Sequence, residues 1–203
     1  MSGAALNIVN KYRDVAVLYV DPRGPYPELV EQWYDEARDA LRYAGRLPVV
    51  AHPPCGPWSG LKHLSRHDDP SHGPYAVAVV QTVGGVLEHP AHSRLFRHCG
   101  LPHPGELPDK YGGVTYEVDQ CDWGHVARKK TWIYVVGAKS IPTAPSKRKP
   151  THWVSGGHKR VGRKSKSTSA PPGIKICSAQ QRRRTPRAFA EFLIAIARSA
   201  GWS

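Results

Sequence analysis

Val49-Val50-Ala51-His52-Pro53-Pro54-Cys55-Gly56-Pro57-Trp58-Ser59 is the stretch on which the reading of this chain turns. Its opening apolar run has the pattern of a short buried strand. Two consecutive prolines then forbid a helix and impose an extended turn. Cys55 stands just past that break, at the carboxyl end of the expected strand. Open α/β sheets collect their ligands along that edge. A thiol flanked by Pro and Gly is carried on a stiff loop there, instead of being packed in a core as most free cysteines are.

Around this stretch the chain alternates strand-like and helix-like segments. Residues 15–20 are a strand, closed by the turn cluster Asp21-Pro22-Arg23-Gly24-Pro25. Residues 26–43 predict a helix, with Leu29, Val30, Trp33, Ala37, Ala40 and Leu41 at three- and four-residue steps and Ala44-Gly45 ending it. One strand and one helix therefore precede the Cys55 strand. Residues 56–74 form a loop long enough to be functional. Residues 75–83 then suit a helix ending at Gly84-Gly85, and Val86-Leu87 a second buried strand ending at Glu88-His89-Pro90. A short helix over 91–99, a loop over 101–113 and strands over 114–118 and 131–136 complete the series. The last two flank Asp119-Gln120-Cys121-Asp122-Trp123-Gly124-His125-Val126-Ala127-Arg128-Lys129-Lys130.

At 203 residues with a formal charge of +13 at pH 7, the chain is long enough for one well-buried domain and points to a polyanionic partner. DNA is the expected partner and a membrane is not; the oligomeric state stays open. Cys55, Cys99, Cys121 and Cys177 form no CxxC pair, zinc-finger spacing or secreted disulfide framework. His63 and His67 are spaced to share a helix face but read as ordinary histidines, and no metal site is expected. No signal-like leader or membrane-length apolar run is present, so an intracellular location is expected. Between residues 140 and 184 no acidic residue occurs, and Lys, Arg, Ser, Gly and Pro dominate. That composition marks an irregular basic insertion. Thr185-Pro186 opens a final helix, with Pro at its first position and Phe189, Phe192, Leu193, Ile196 and Ala197 on one face. The expected organisation is an α/β domain over 1–140, the basic insertion over 141–184, and a helix over 185–203 packing back on the domain.

Pro54-Cys55 after one strand, Glu88-His89-Pro90 after the next, and Asp122-Trp123-Gly124 followed by Ala127-Arg128-Lys129-Lys130-Thr131 occur in this order. Together they resemble the C5 cytosine DNA methyltransferases. That family has a Pro-Cys loop, a Glu-Asn-Val or Glu-Asn-Pro strand end, and a Gln-x-Arg-x-Arg segment after an Asp-Tyr-Gly turn. Arg184-Thr185-Pro186-Arg187-Ala188-Phe189-Ala190 resembles the opening of its last helix, and the basic stretch lies where the family keeps its target-recognition region. The resemblance covers residues 47–200 and implies a mostly parallel sheet with flanking helices, a reduced methyltransferase-like (Rossmann-like) fold. Ala127 stands at the motif glutamine, Thr131 at the second arginine and His89 at the usual asparagine. Residues 20–26 stand where the family has Phe-x-Gly-x-Gly, and the family builds its cofactor pocket with three strands ahead of the Pro-Cys strand.

The resemblance implies a chemistry that suits these residue types. C5 of cytosine is a poor nucleophile, and a thiolate adding at C6 makes it enamine-like. Cys55 takes the role of nucleophile and Glu88 that of partner to N3. Lys129, or Arg128 with a one-residue slip, takes that of the cation that holds the base oxygen and lowers the thiol pKa. S-adenosylmethionine is the implied donor, with Asp21, Pro53 and Pro54 as its candidate contacts. Phosphate contacts are expected from Lys147, Arg148, Lys149, Lys159, Arg160, Arg163, Lys164, Arg182, Arg183 and Arg184, and base stacking from Trp153. The same cysteine chemistry serves thymidylate-type enzymes, so another one-carbon donor stays open. A DNA-binding protein that kept the fold without the catalysis is the further alternative.

Overall fold

The computed structural model describes residues 15–59, 69–154 and 173–200. His63, His67, Lys159, Arg160, Arg163 and Lys164 lie outside the described residues, as does the lead-in ahead of residue 15. The central sheet is built from β1 (Ala16–Leu18), β2 (Gln32–Tyr34), β3 (Val49–Ala51), β4 (Gly85–Pro90), β5 (Val114–Asp119) and β6 (Lys130–Val136). Their order across the sheet is β2-β1-β3-β4-β6-β5. The first four run parallel. β6 runs antiparallel to both β4 and β5. The molecule is thus α/β with a mainly parallel six-stranded sheet, compatible with a Rossmann-like fold.

Strand alternation sends successive side chains to opposite faces. Leu18, Ala51, Leu87 and Tyr134 face α1 (His72–Val83) and α2 (Arg94–Cys99), packing on Val77, Val80, Leu95 and Phe96. Val17, Val50, Val86 and Ile133 face the final helix, here α4 (Arg187–Ser199), and pack on Phe189, Leu193 and Ile196. Each fully buried Val, Leu, Ile or Phe among them contributes about 1.5–3 kcal/mol. Pro186 is the N-cap of α4 and not its first helical residue. Its fixed φ serves either position, and the helix face is the expected one.

The helix expected over 26–43 does not form. A 3-10 turn at Tyr26–Glu28, the strand β2 and a second 3-10 turn at Ala40–Arg42 take its place. Gln32-Trp33-Tyr34 pairs with β1 and covers its outer edge, which a helix would leave open. Trp and Tyr suit a strand, and the pairing overrides the helical spacing. Asp39, at φ 51°, interrupts any helix in addition. Two strands, not one strand and one helix, therefore precede β3. They also put the reversal of strand order between β1 and β3, where open sheets hold ligands.

Gly85 is required by the sheet itself. It has φ +120°, and a Cβ there would lie 2.0 Å from Val49 O. Beyond β6 the chain runs without regular structure to β7 (His152–Trp153), which pairs with β8 (Lys175–Ile176). α3 (Ala179–Arg183) follows, opened by a capping box between Ser178 and Gln181.

Candidate active site at the carboxyl edge of the sheet

The Pro53-Pro54-Cys55 loop leaves β3 at the point where strand order reverses. Pro53, Pro57 and Trp58 are buried, and Trp58 N–H donates to Cys55 O at 3.2 Å. The turn fixes the backbone while Cys55 itself is exposed. Glu88 reaches the same edge from the neighbouring strand β4.

Val50 and Val86 share the α4 face, so His52 and Glu88, two residues further on, continue along it. His52 Nδ1 donates to Glu88 Oε2 at 2.8 Å. Tyr26, from the first 3-10 turn, lies with its hydroxyl 2.6 Å from His52 Nε2. Gln120 Nε2 donates to Glu88 Oε1 and to Thr131 Oγ1, each at 3.0 Å. Thr131 in turn donates to Lys129 O at 3.1 Å. The Glu88 side chain is 11% exposed. Burial raises its pKa, but the His52 hydrogen bond and the charges of Lys129, His52 and His89 outweigh burial and hold it at about 2.

The charge of Lys129 lowers the Cys55 thiol pKa, as expected of a nearby cation, but the net shift is upward. Surrounding protein and the Glu88 charge push it up, and Lys129 and Arg183 offset this only in part. With Glu88 ionised, the thiol is held in its protonated form. His89 follows Glu88 on β4, is buried, and makes no well-formed hydrogen bond through either ring nitrogen. Burial brings its pKa down to about 4, with Glu88 and the Pro54 carbonyl acting in the opposite direction.

The structure brings Cys55, Glu88 and Lys129 within electrostatic reach of one another. Arg128 is engaged elsewhere, donating to Asp119 Oδ2 at 2.9 Å. Ala127, at the motif glutamine position, is fully buried and bridges to His152. The charge of Arg183, on α3, reaches Cys55 only weakly. His125 Nε2 lies 3.0 Å from Gln181 O, and its Nδ1 lies 2.8 Å from Ala127 O and 3.1 Å from Ala127 N. This buried ring ties α3 to the segment that carries Lys129. Arg182, Arg183 and Arg184 are exposed at the end of α3. Lys149 is exposed as well, whereas Lys147 donates to the buried Asp122 at 2.8 Å and Arg148 N–H to its other oxygen. Trp153 is 39% exposed beside Ile176.

Tyr26, His52 and Gln120 carry no motif that marks them in the sequence. His52 had a usable signal, since it continues the alternation of β3 as Glu88 continues that of β4. Tyr26 had none, because its place under His52 depends on the turn that replaces the expected helix.

Asp21, the candidate ribose contact at the end of β1, is held in an exposed ion pair with Arg23. Its Oδ1 accepts from Arg23 N–H and Nε, and its Oδ2 accepts from Arg23 Nη2. The turn is exposed, Pro53 is buried and Pro54 half-buried. Among the described residues no three His, Cys, Asp or Glu side chains cluster as a metal-ligand set, and no helix is long and apolar enough to cross a membrane.

No protein-family model matches the sequence, and no curated protein matches it significantly.

Proposed function

We propose that this protein modifies C5 of a pyrimidine in DNA, cytosine in the first instance, through a covalent Cys55 adduct. The observation that carries the reading is the convergence of Cys55, Glu88 and Lys129 at one sheet edge, from three separate segments. In the free protein the thiol holds a proton and Glu88 does not, so formation of the adduct requires a proton to move. The S–H bond breaks and its proton passes to Glu88. Sulfur bonds to C6, the C5=C6 electron pair shifts toward N3, and Glu88 delivers the proton to N3. C5 is then nucleophilic toward a one-carbon electrophile. Loss of the C5 proton to water, expulsion of the Cys55 thiolate and return of the N3 proton to Glu88 restore the ring. Lys129 is the cation whose charge acts on both Cys55 and Glu88.

Methyl transfer from S-adenosylmethionine is the default that the resemblance suggests. Residues 20–26, which lack the Phe-x-Gly-x-Gly loop, favour a second reading, the same adduct chemistry with another one-carbon donor. Exposed Lys149, Arg182, Arg183 and Arg184 suit phosphate contact. Mass spectrometry of nucleosides from DNA co-expressed with the protein tests the proposal. A modified pyrimidine that disappears with Cys55→Ala is expected. Unmodified DNA, or modification that survives Cys55→Ala, would overturn it, and unmodified DNA with retained binding would leave the non-catalytic reading.

A further inference from the structure

The hydrogen bonds around Glu88 run in one direction. Burial and the Glu88 charge raise the Tyr26 pKa far above its ordinary value, so the phenol keeps its proton and donates to His52 Nε2. The carboxylate has no proton to give, so His52 Nδ1 must carry the N–H that reaches Glu88 Oε2. Gln120 serves the other oxygen. A carboxylate offers about four lone-pair positions, so roughly two stay available to a ligand. Tyr26 is 3% exposed and packs its ring 5.2 Å from that of His52, so the imidazole cannot swing away without disturbing the core.

We propose that His52 is a positioning residue for Glu88: bridged between Tyr26 and the carboxylate, it sets the plane and the ionised state in which Glu88 meets a pyrimidine. This rests on the function proposed above. The groups facing Glu88 are His52, Tyr26, His89, Lys129, Cys55 and the neutral Gln120 and Thr131. Without the His52 N–H, burial drives the carboxyl toward its protonated form. A protonated Glu88 cannot accept the Cys55 proton, so adduct formation would fail at a higher pH than in the wild type.

The test uses the full chain and two readouts. Carbon-13 NMR follows the Glu88 carboxyl through an acid titration. Denaturing gels follow the covalent adduct with DNA carrying 2-pyrimidinone, whose C6 accepts a thiolate without a one-carbon donor. His52→Ala should raise the Glu88 midpoint by roughly one to two pH units, the scale on which a hydrogen bond moves a carboxyl. The acid limb of adduct formation should move with it. His52→Asn, whose amide nitrogen overlies Nδ1, should restore most of the wild-type behaviour. Tyr26→Phe should shift both readouts by less than His52→Ala. A Glu88 midpoint unchanged by His52→Ala, or shifted equally by Ala and Asn, would overturn the positioning role. A wild type that forms no adduct while Glu88 responds as described would overturn the pyrimidine chemistry and leave the His52–Glu88 coupling standing.

Discussion

His52 Nδ1 lies 2.8 Å from Glu88 Oε2, and that contact joins the ends of two neighbouring parallel strands. It stabilises a buried carboxylate that burial alone would protonate. The adjoining His89 is buried in the opposite sense, with its neutral form favoured.

These two residues set an acid profile for stability. The Glu88 pKa falls from 4.5 to about 2 on folding, so its contribution is present above pH 4.5 and is lost as pH falls toward 2. The His89 pKa falls from 6.5 to about 4, so the unfolded chain takes up a proton first and stability is lost as pH falls from 6.5 toward 4. Each contributes on the order of 3 kcal/mol across its window. Thermal unfolding followed against pH should show both limbs, and His89→Leu should remove the upper one. A melting temperature flat between pH 6.5 and 4 in the wild type would show His89 to be solvated.

Cys55→Ala should abolish the covalent adduct with 2-pyrimidinone DNA while salt-sensitive DNA binding persists, because the exposed arginines lie on α3 and not on the Cys55 loop. Glu88→Gln should slow adduct formation by on the order of 10²-fold or more, the scale of general acid–base assistance. Adduct formation at the wild-type rate in Glu88→Gln would remove Glu88 from the chemistry.

DNA affinity should fall steeply with salt. Replacing Arg182, Arg183 and Arg184 by Ala should flatten the slope by roughly one for each phosphate that is no longer neutralised. Lys147→Ala should change the slope less, because Lys147 already pairs with Asp122. A salt-independent wild type would argue against a nucleic-acid substrate.

Calorimetry of the free protein with S-adenosylmethionine tests the default donor. Saturable binding that weakens in Asp21→Ala is expected, and no saturable binding would favour another one-carbon donor.

Gly85→Ala should unfold the domain or cost on the order of 4 kcal/mol in chemical denaturation, since the added Cβ meets the β3 backbone in a conformation that L-residues rarely adopt. A variant of wild-type stability would mean that β3 and β4 can separate at Val49.

Much of the layered fold was legible along the chain. The apolar runs of β1, β3, β4 and β6 and the single face of α4 follow from side-chain spacing, which is a local property of the backbone. The arrival of Cys55 and Glu88 near the carboxyl edge was legible too, because β3 and β4 run parallel, although β4 continues through Glu88 to Pro90 instead of ending at the carboxylate. The segment over 26–43 was not legible. Its apolar spacing suits a helix, but the unpaired edge of β1, distant in sequence, selects a strand at Gln32–Tyr34. Only tertiary structure decides that Tyr26 and Gln120 meet His52 and Glu88, that Arg128 is drawn away to Asp119, and that burial raises the thiol. Proton states depend on burial and on the sum of charges in space, and neither is written in the spacing of residues along a chain.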